Sequence, residues 1–415
     1  MNYKFFKQAW QLMRENPLVS IVSILGTALS IAMILVVVLM FQISNSGYKP
    51  ESNRNRMLYV LGTEALSLNE KNRIRNRGYM SVEVVKECFY SLQTPEAVTA
   101  IAAEQKPVSL PTKRLFKEYA IKYTDPNFWR VFDFTFLNGK PFTEADFQSA
   151  IPQAVVTSKV ASALFGAESA IGKTIILDDI AYNVAGIVKP VSENAQQAYA
   201  DIWTPYACSP ALMKNSYYDG ISGPFQTVLL AYNSSDFTKI KKELEQRRVQ
   251  YNKSKRDMNV NFLENPITRM EITSGSNGFR KASLNDYFLR TGFLLLFMLL
   301  IPALNLTGFI LSSIQKRQTE VGIRKAFGAT RRAIVYQVLY ENLLTTFIGG
   351  LLGLALSFLL LKLSSDFLLT AGMLIRPGLF AAALFFVLLL NLFSAGIPAM
   401  HIAGQRIVSS LQGSD

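Results

Sequence analysis

The sequence predicts a membrane protein with four transmembrane α-helices and a large α+β extracytoplasmic domain inserted between helices 1 and 2. Half of the 415 residues are apolar and only 18% are charged. Four long runs are almost free of charge, and about 240 residues of mixed pattern separate the first run from the second. A soluble protein can contain one buried helix of this length, but four such runs indicate a membrane protein.

Each apolar run can supply the roughly 20 residues with which a helix crosses a bilayer. The first run follows a basic start but is about twice the roughly 7–15 residues of a signal-peptide apolar region, and it shows no clear A-x-A cleavage site. We therefore interpret it as a retained helix. The predicted transmembrane helices are 17–45, 287–314, 333–362 (including an amphipathic lead-in) and 378–400.

The distribution of charge predicts the orientation, because short basic loops stay on the cytoplasmic side. The net charge of +13 partly reflects this rule, and nucleic-acid binding is not predicted because the basic residues are not gathered on one soluble module. We predict a cytoplasmic N-terminus (1–16), an extracytoplasmic domain (46–286, with a possible inserted subdomain at about 207–265), a cytoplasmic loop (315–332), a short outer loop (363–377) and a cytoplasmic tail (401–415).

The stretch LFGAESAIGKT (164–174) has some features of a phosphate-binding loop. Five residues separate Gly166 from Gly172, whereas a P-loop has four, and one extra residue alters how the loop curls around a phosphate. Because the stretch also lies in the predicted outer domain, we interpret its glycines as turn residues between a short helix and a strand. No Walker A sequence occurs elsewhere, so the chain is predicted to bind no cofactor.

The outer domain shows short strand and helix patterns. Strands are predicted at 154–157 and at 173–188, with a hairpin turn at Asp178-Asp179. A helix is predicted over 158–165 with Ser158 as its N-cap, and another over 236–253.

No catalytic or metal-binding residues are predicted. The single histidine, His401, lies near the cytoplasmic end of the fourth helix, which excludes a His-based triad in the outer domain. Cys88 and Cys208 both lie in that domain, where a disulfide and two free thiols are equally compatible with the sequence. The aromatic residues between 128 and 136 are predicted to form core.

The loop after the second apolar run reads QKRQTEVGIRKAFGATRRAIVYQVLYENLL (315–344). Ile323 and Phe327 share one face of a short helix, which Gly328 would end. Such a helix suits docking into a groove of a partner protein. A basic helix lying on the membrane surface without a partner fits the spacing as well.

EVGIRKAFGATRR followed by a GG-LLG helix resembles the permease family of ABC transporters that includes the macrolide-exporter, lipoprotein-release and cell-division permeases. The stretches FWRVFDFTFLNGKPFTEADF and AVVTSKVASALFGAESAIGKTIILDDIAYNVAGIVKPV are similar to the extracytoplasmic core domain of the macrolide-exporter type, and IPAMHIAGQRIVSSLQ resembles the closing segment of the family. The resemblance covers nearly the whole chain.

The resemblance implies that the 315–332 loop is a coupling helix docked on a separate cytoplasmic ATPase, which binds the ATP and Mg. Only 16 residues precede the first helix, so we expect the permease half alone. Thr319 departs from the family, where a second basic residue is common. The residues assigned to ATPase coupling are Arg317, Glu320, Val321, Gly322, Ile323, Arg324, Lys325, Ala326, Phe327 and Gly328.

The resemblance further implies a bacterial inner-membrane protein that pairs with a second permease, identical or paralogous, and has a possible periplasmic adaptor. Gly349, Gly353 and Ser357 form a stripe of small residues that would pack helices within the subunit or at the dimer seam. The predicted function is ATP-driven motion of the outer domain for efflux of a drug, peptide or lipid-like substrate. The alternatives are a membrane-anchored receptor, a regulator of cell-wall hydrolases, or an enzyme acting on cell-wall or lipid substrates.

Overall fold

The computed structural model describes residues 14, 17–68, 74–111, 113–315, 327–328 and 330–362, and the single positions 378, 381, 385 and 400. The chain divides into two compact units. The helical unit comprises Met1–Phe41 and Phe288–Asp415, and the core unit is Gln42–Tyr287. The fourth predicted transmembrane helix, 378–400, lies almost entirely outside the described residues.

Helices and strands alternate irregularly along the chain. The helices are α1 (Pro17–Asn45), α2 (Val82–Val84, continued by a π-helical turn at Val85–Phe89), α3 (Phe128–Val131), α4 (Glu144–Gln148), α5 (Ser158–Phe165), α6 (Pro210–Lys214), α7 (Phe237–Lys253), α8 (Arg269–Thr273), α9 (Leu284–Gln315) and α10 (Arg331–Lys362). The strands are β1 (Met57–Val60), β2 (Thr63–Ser67), β3 (Arg75–Met80), β4 (Ala97–Leu110), β5 (Lys113–Thr124), β6 (Phe136–Gly139), β7 (Gln153–Thr157), β8 (Thr174–Leu177), β9 (Ile180–Val188), β10 (Ile202–Pro205), β11 (Ser222–Gly223), β12 (Gln226–Leu230), β13 (Met258–Asn261) and β14 (Ile267–Thr268).

The long apolar helices belong mainly to the helical unit. Among the described residues, two segments are long and apolar enough to cross a membrane by length and composition: Ser20–Asn45 and Leu343–Leu360. The second predicted transmembrane helix, 287–314, lies within α9, which extends beyond it by a few residues. The count of four transmembrane helices remains a prediction.

Within the described residues, the core unit contains a ten-stranded and a four-stranded sheet. The larger sheet has the order β14-β1-β12-β4-β5-β10-β7-β9-β6, with β8 bridging β4 and β9. The smaller sheet has the order β11-β3-β2-β13. Strand β1 is buried throughout, which explains its continuous apolar sequence MLYV, since a strand covered on both faces shows no alternation. The core unit is therefore α+β, as predicted.

Several local predictions are confirmed. β8 and β9 form an antiparallel hairpin around Asp178-Asp179, whose φ values are 49° and 61°. Gly166 (φ 68°) ends α5, and Gly172 (φ 77°) precedes β8, so the glycines of the P-loop-like stretch are turn residues. The N-cap prediction is wrong by one residue, because Thr157 rather than Ser158 accepts the hydrogen bond from the Val160 amide.

The segment 207–265 is divided between the two sheets. It supplies β12 to the larger sheet, between β1 and β4, and β13 to the smaller one. The predicted aromatic core exists: Phe128 and Phe132 are fully buried, and Trp129 and Phe134 contact the Trp203 ring.

Both cysteines of the core unit are buried free thiols. Burial raises the pKa of Cys88 to about 12 and that of Cys208 to about 11, so neither thiol is ionised at neutral pH. The choice that the sequence left open between a disulfide and two thiols is thus resolved in favour of the thiols.

Candidate functional site: a joint at the end of the first helix

Most residues predicted to contact an ATPase lie outside the described part of the chain. They are Arg317, Glu320, Val321, Gly322, Ile323, Arg324, Lys325 and Ala326. Phe327 and Gly328 are described. The side chain of Phe327 is 88% exposed, and Gly328 has φ 86°, the left-handed conformation that suits a glycine just beyond a helix. An aromatic ring this exposed is available to a partner protein.

The small-residue stripe on α10 packs against α1 of the same chain. A Cβ atom added at Gly353 would lie 2.7 Å from the Ala28 carbonyl oxygen, and one at Gly349 would lie 2.9 Å from the Thr27 Cβ. Ser357 is fully buried and donates a hydrogen bond to the Leu354 carbonyl. The two glycines therefore bring two helix backbones together within one subunit, as small residues do in membrane helix pairs.

The last turn of α1 belongs to the core unit, and one buried and one half-buried arginine bind its carbonyl groups. A helix leaves its final carbonyls without backbone partners. Arg54 Nη1 donates to the Ile43 oxygen at 2.6 Å and to the Ser46 oxygen at 3.1 Å. Arg269 Nε donates to the Ser44 oxygen at 2.7 Å. Cations at this position also interact favourably with the negative end of the helix dipole.

Arg54 joins the end of this helix to the rest of the core unit. It lies in a short 3₁₀ helix, Arg54–Arg56, immediately before β1. Its Nη2 donates to the Tyr48 hydroxyl and to the Asn194 carbonyl, at 2.9 and 3.0 Å, and its guanidinium carbon lies 4.2 Å from the centre of the Tyr48 ring. All three guanidinium nitrogens are engaged, which only the rigid fork of arginine permits.

Glu51 supplies the countercharge. Its Oε2 accepts from Arg54 Nε at 2.6 Å, and both side chains are fully buried. Its Oε1 accepts from the backbone amides of Gln197 and Ala198, at 3.2 and 3.3 Å. A buried ion pair persists only where further hydrogen bonds satisfy its remaining atoms, and both partners meet that condition here.

Lys122 on β5 holds the same loop from the sheet. Its Nζ donates to the carbonyls of Gln196 and Gln197, at 2.6 and 2.7 Å. Burial lowers the pKa of Lys122 to about 7, against the opposing effect of the Glu51 charge. We call Glu51, Arg54, Lys122 and Arg269, with the backbone groups they bind, the joint.

The described residues of the joint form no pattern of acid, base and nucleophile around an open site. Among the described residues, no group of three or more His, Cys, Asp or Glu side chains is placed to hold a metal ion. Sequence reasoning did not single out the joint. The only available signal was the run ESNRNR just beyond an apolar helix, which is equally typical of a solvated loop.

We expect the core unit to become more stable as the pH rises from 7 to 8.5, owing to Lys122. The folded state loses this proton near pH 7, whereas the unfolded state keeps it up to the ordinary pKa of 10.5. The unfolded state therefore binds more protons in this interval, and raising the pH favours folding. Urea unfolding followed by tryptophan fluorescence at several pH values measures the slope.

The matched variant is Lys122→Met, which keeps a long side chain but cannot titrate. Its stability should vary less with pH over the same interval. Stopping at pH 8.5 keeps the measurement below the ordinary pKa of 9.0 for the thiols. Equal slopes for the wild type and the variant would contradict the assignment.

Comparison with known proteins reveals relatives at low identity. Pyoverdine export ATP-binding/permease protein PvdT of Pseudomonas fluorescens is 25% identical over 265 residues, 63% of this chain and 38% of that protein. Macrolide export ATP-binding/permease protein MacB of Pasteurella multocida is 22% identical over 371 residues, 87% of this chain and 53% of that protein. The chain thus spans about half or less of these two relatives. The uncharacterized ABC transporter permease YknZ of Bacillus subtilis is 24% identical over 350 residues, 82% of this chain and 81% of that protein.

Solved structures of isolated domains also match the chain. The periplasmic region of MacB from Actinobacillus actinomycetemcomitans is 14% identical, and the match covers 52% of this chain and 92% of that one with a TM-score of 0.37. The extracellular domain of the YknZ transporter is 14% identical, with coverage of 48% and 99% and a TM-score of 0.34.

Two family descriptions together account for most of the sequence. Residues 20–247 match the MacB-like periplasmic core domain, which is more than half of the chain. Residues 292–407 match the FtsX-like permease C-terminal domain. The predicted coupling segment 315–332 falls inside the second match. The chain therefore belongs to the family of ABC transporter permeases in which a MacB-like periplasmic core domain precedes an FtsX-like permease domain.

Proposed function

We propose that this chain is the permease subunit of an ABC transporter whose separate cytoplasmic ATPase drives motion of the extracytoplasmic domain. The observation that carries the proposal is the order of the two matched domains, with EVGIRKAFGATRR between the helices of the second. The 88% exposure of Phe327 supports a docking role for this segment, because a large aromatic ring on a free surface is unfavourable without a partner.

The joint supports mechanical transmission as the mode of action. If a helix end were held by a single flexible contact, local bending would absorb its displacement and little motion would reach the rest of the domain. Here Arg54 and Arg269 bind successive carbonyls at the end of α1, and Arg54 and Glu51 also bind the loop around Asn194–Ala198. A displacement of the last turn of α1 would therefore be passed to the loop and to the start of β1.

The cargo, partners and topology complete the proposal. The named relatives export macrolides or pyoverdine, and we propose efflux of a drug, peptide or lipid-like substrate by this chain. The family is an inner-membrane family with a periplasmic domain. We propose that both termini are cytoplasmic, that two permeases associate, that the partner ATPase binds ATP and Mg, and that a periplasmic adaptor completes the assembly.

Co-purification from the native membrane tests the proposal. We expect a P-loop ATPase to accompany the wild type. It should be lost from the double variant Glu320→Lys/Arg324→Glu, which reverses the charge of two side chains predicted to contact the ATPase. Phe327→Asp should likewise release the ATPase, because a carboxylate is costly to bury in an apolar groove. Quantitative mass spectrometry of the purified material, after mild crosslinking, measures the ratio of ATPase to permease.

Val249→Asp is the matched control. Val249 is 43% exposed on α7 of the core unit, so the same apolar-to-acidic change should leave the ATPase bound. Failure of the wild type to retain an ATPase even after crosslinking would contradict the transporter function. Retention of the ATPase by both coupling variants would contradict the assigned contact residues.

A further inference from the structure

A cavity of about 340 Å³ opens into the core unit beside the end of β5. Its walls come from the π-helical turn after α2, the Asp125–Asn127 turn, α4 and the residues that follow β10. This volume is at the lower end of the range for small-molecule sites and has room for roughly ten water-sized groups. No part of the joint lines the cavity.

Asp125 forms part of the cavity wall and is only 3% exposed. Its Oδ2 accepts hydrogen bonds from the Ala100 amide at 2.6 Å, the Tyr90 hydroxyl at 2.7 Å and the Thr99 hydroxyl at 3.1 Å. Its Oδ1 is buried and makes no hydrogen bond of standard geometry, although the nearby Asn127 amide helps to lower the pKa of the group. Oδ1 is therefore the less well satisfied of the two carboxylate oxygens.

Among the described residues, Asp125 forms no ion pair, and an unpaired buried charge is costly. Burial raises its pKa to about 6, so the group is still largely ionised at neutral pH. The other charged residues that line the cavity are Glu144 and Lys86, both exposed. Two carboxylates and one ammonium leave an excess negative charge, which favours a cation over an anion.

Aromatic side chains surround the carboxylate. The hydroxyls of Tyr90 and Tyr206 lie 3.1 Å apart, and the Phe147 ring meets the Tyr206 ring edge to face at 4.8 Å. All three residues line the cavity. The faces of such rings attract cations and also cover apolar carbon atoms. The wall therefore combines an acceptor for an ammonium group with surfaces for an attached carbon skeleton.

We propose that this cavity binds a small organic amine, whose protonated nitrogen donates to Asp125 Oδ1 while its carbon skeleton packs against Tyr90, Phe147 and Tyr206. The ammonium group supplies both the missing hydrogen bond and the missing positive charge. This binding does not depend on an ATPase, so it stands or falls separately from the proposed transport function.

Titration of the full chain in detergent with phenethylamine and with its neutral isostere phenethyl alcohol tests the proposal. Ligand-observed NMR, corrected with protein-free micelles, yields a Kd for each probe. A hydrogen bond to a charged group favours the amine, and we expect its Kd to be at least about tenfold lower than that of the alcohol. Absence of amine binding, or equal Kd values for the two probes, would overturn the proposal.

Variants locate the site. Asp125→Asn keeps the shape of the side chain and should reduce the preference for the amine to less than about threefold. Met213→Trp narrows the cavity from another wall and should weaken the binding of both probes. Glu118→Gln removes an exposed carboxylate away from the cavity and should change neither Kd.

A native circular-dichroism spectrum with a cooperative unfolding transition shows that each variant has folded. A folded Asp125→Asn protein that keeps the full preference for the amine would exclude the assigned carboxylate. If that variant does not fold, Met213→Trp decides the question, because unchanged amine binding in it would exclude the cavity.

Discussion

Arg54→Ala is expected to destabilise the core unit by about 3–5 kcal/mol, because the substitution leaves Glu51 buried without its partner charge. It also removes the donors to Ile43, Ser46 and Asn194. The loss can be measured by urea unfolding of the full chain in detergent, in a Trp10→Phe background, so that Trp129 and Trp203 of the core unit report the transition. Two-state behaviour must be checked with a second probe such as circular dichroism.

A double-mutant cycle separates the buried charge from the lost helix contacts. Glu51→Met/Arg54→Met should be more stable than Arg54→Met alone, because no uncompensated charge remains in it. The matched control Arg130→Ala, at an exposed position on α3, should change stability by less than about 0.5 kcal/mol. A loss for Arg54→Ala no larger than that of the control would show that the joint does not stabilise the core unit.

Gly353→Leu is expected to separate α10 from α1. A Cβ at this position would already lie 2.7 Å from the Ala28 carbonyl oxygen and 2.9 Å from the Ile31 Cβ, so a leucine side chain has no room. Overpacking of this kind costs about 1–3 kcal/mol, and rigid backbone on the opposite side limits relaxation. The loss can be measured as a shift of the unfolding midpoint of the full chain in mixed micelles with increasing sodium dodecyl sulfate, followed by circular dichroism.

Gly292→Leu is the matched control, because nothing lies within 4 Å of the Cβ position of Gly292 on α9. This variant should not lower the unfolding midpoint of the wild type, whereas Gly353→Leu should lower it measurably. Equal midpoints in both variants would mean that α1 and α10 do not depend on close backbone approach.

The small-residue stripe shows that a sequence pattern can predict close helix packing without identifying the partner helix. Spacing at 349, 353 and 357 predicts that a helix approaches closely but does not say which helix does so. The structure places α1 against it through Thr27, Ala28 and Ile31. Partner identity is a property of three-dimensional arrangement, so the sequence pattern was compatible with packing within the subunit and at a dimer seam.

The N-cap of α5 shows a limit of a different kind. Thr157 and Ser158 are adjacent and both have a hydroxyl that can cap a helix. Thr157 ends β7 in an extended conformation (ψ 153°), which lets its oxygen reach the Val160 amide, and Ser158 is already helical. The end of the strand thus decides which of the two hydroxyls caps the helix.

The sequence by itself determined the features that arise from local composition and order. Long charge-free runs predict membrane helices because a bilayer tolerates few charges, and linked motifs in order identify the permease family. The β8–β9 hairpin at Asp178-Asp179 is local in the same sense, because the two residues form the turn themselves.

Only the tertiary structure decided which polar residues are buried and which groups they bind. Arg54 and Asn194 share a hydrogen bond although they are 140 positions apart in the sequence. Nothing in the sequence distinguishes this pair from the many equally distant pairs that make no contact. From the sequence, Asp125 is an ordinary turn residue. In the structure, β4 and the residue that follows the π-helical turn donate hydrogen bonds to its carboxylate and bury it. The physical reason is that the effect of a charge depends on its desolvation and its partners, and both are set by segments distant in sequence.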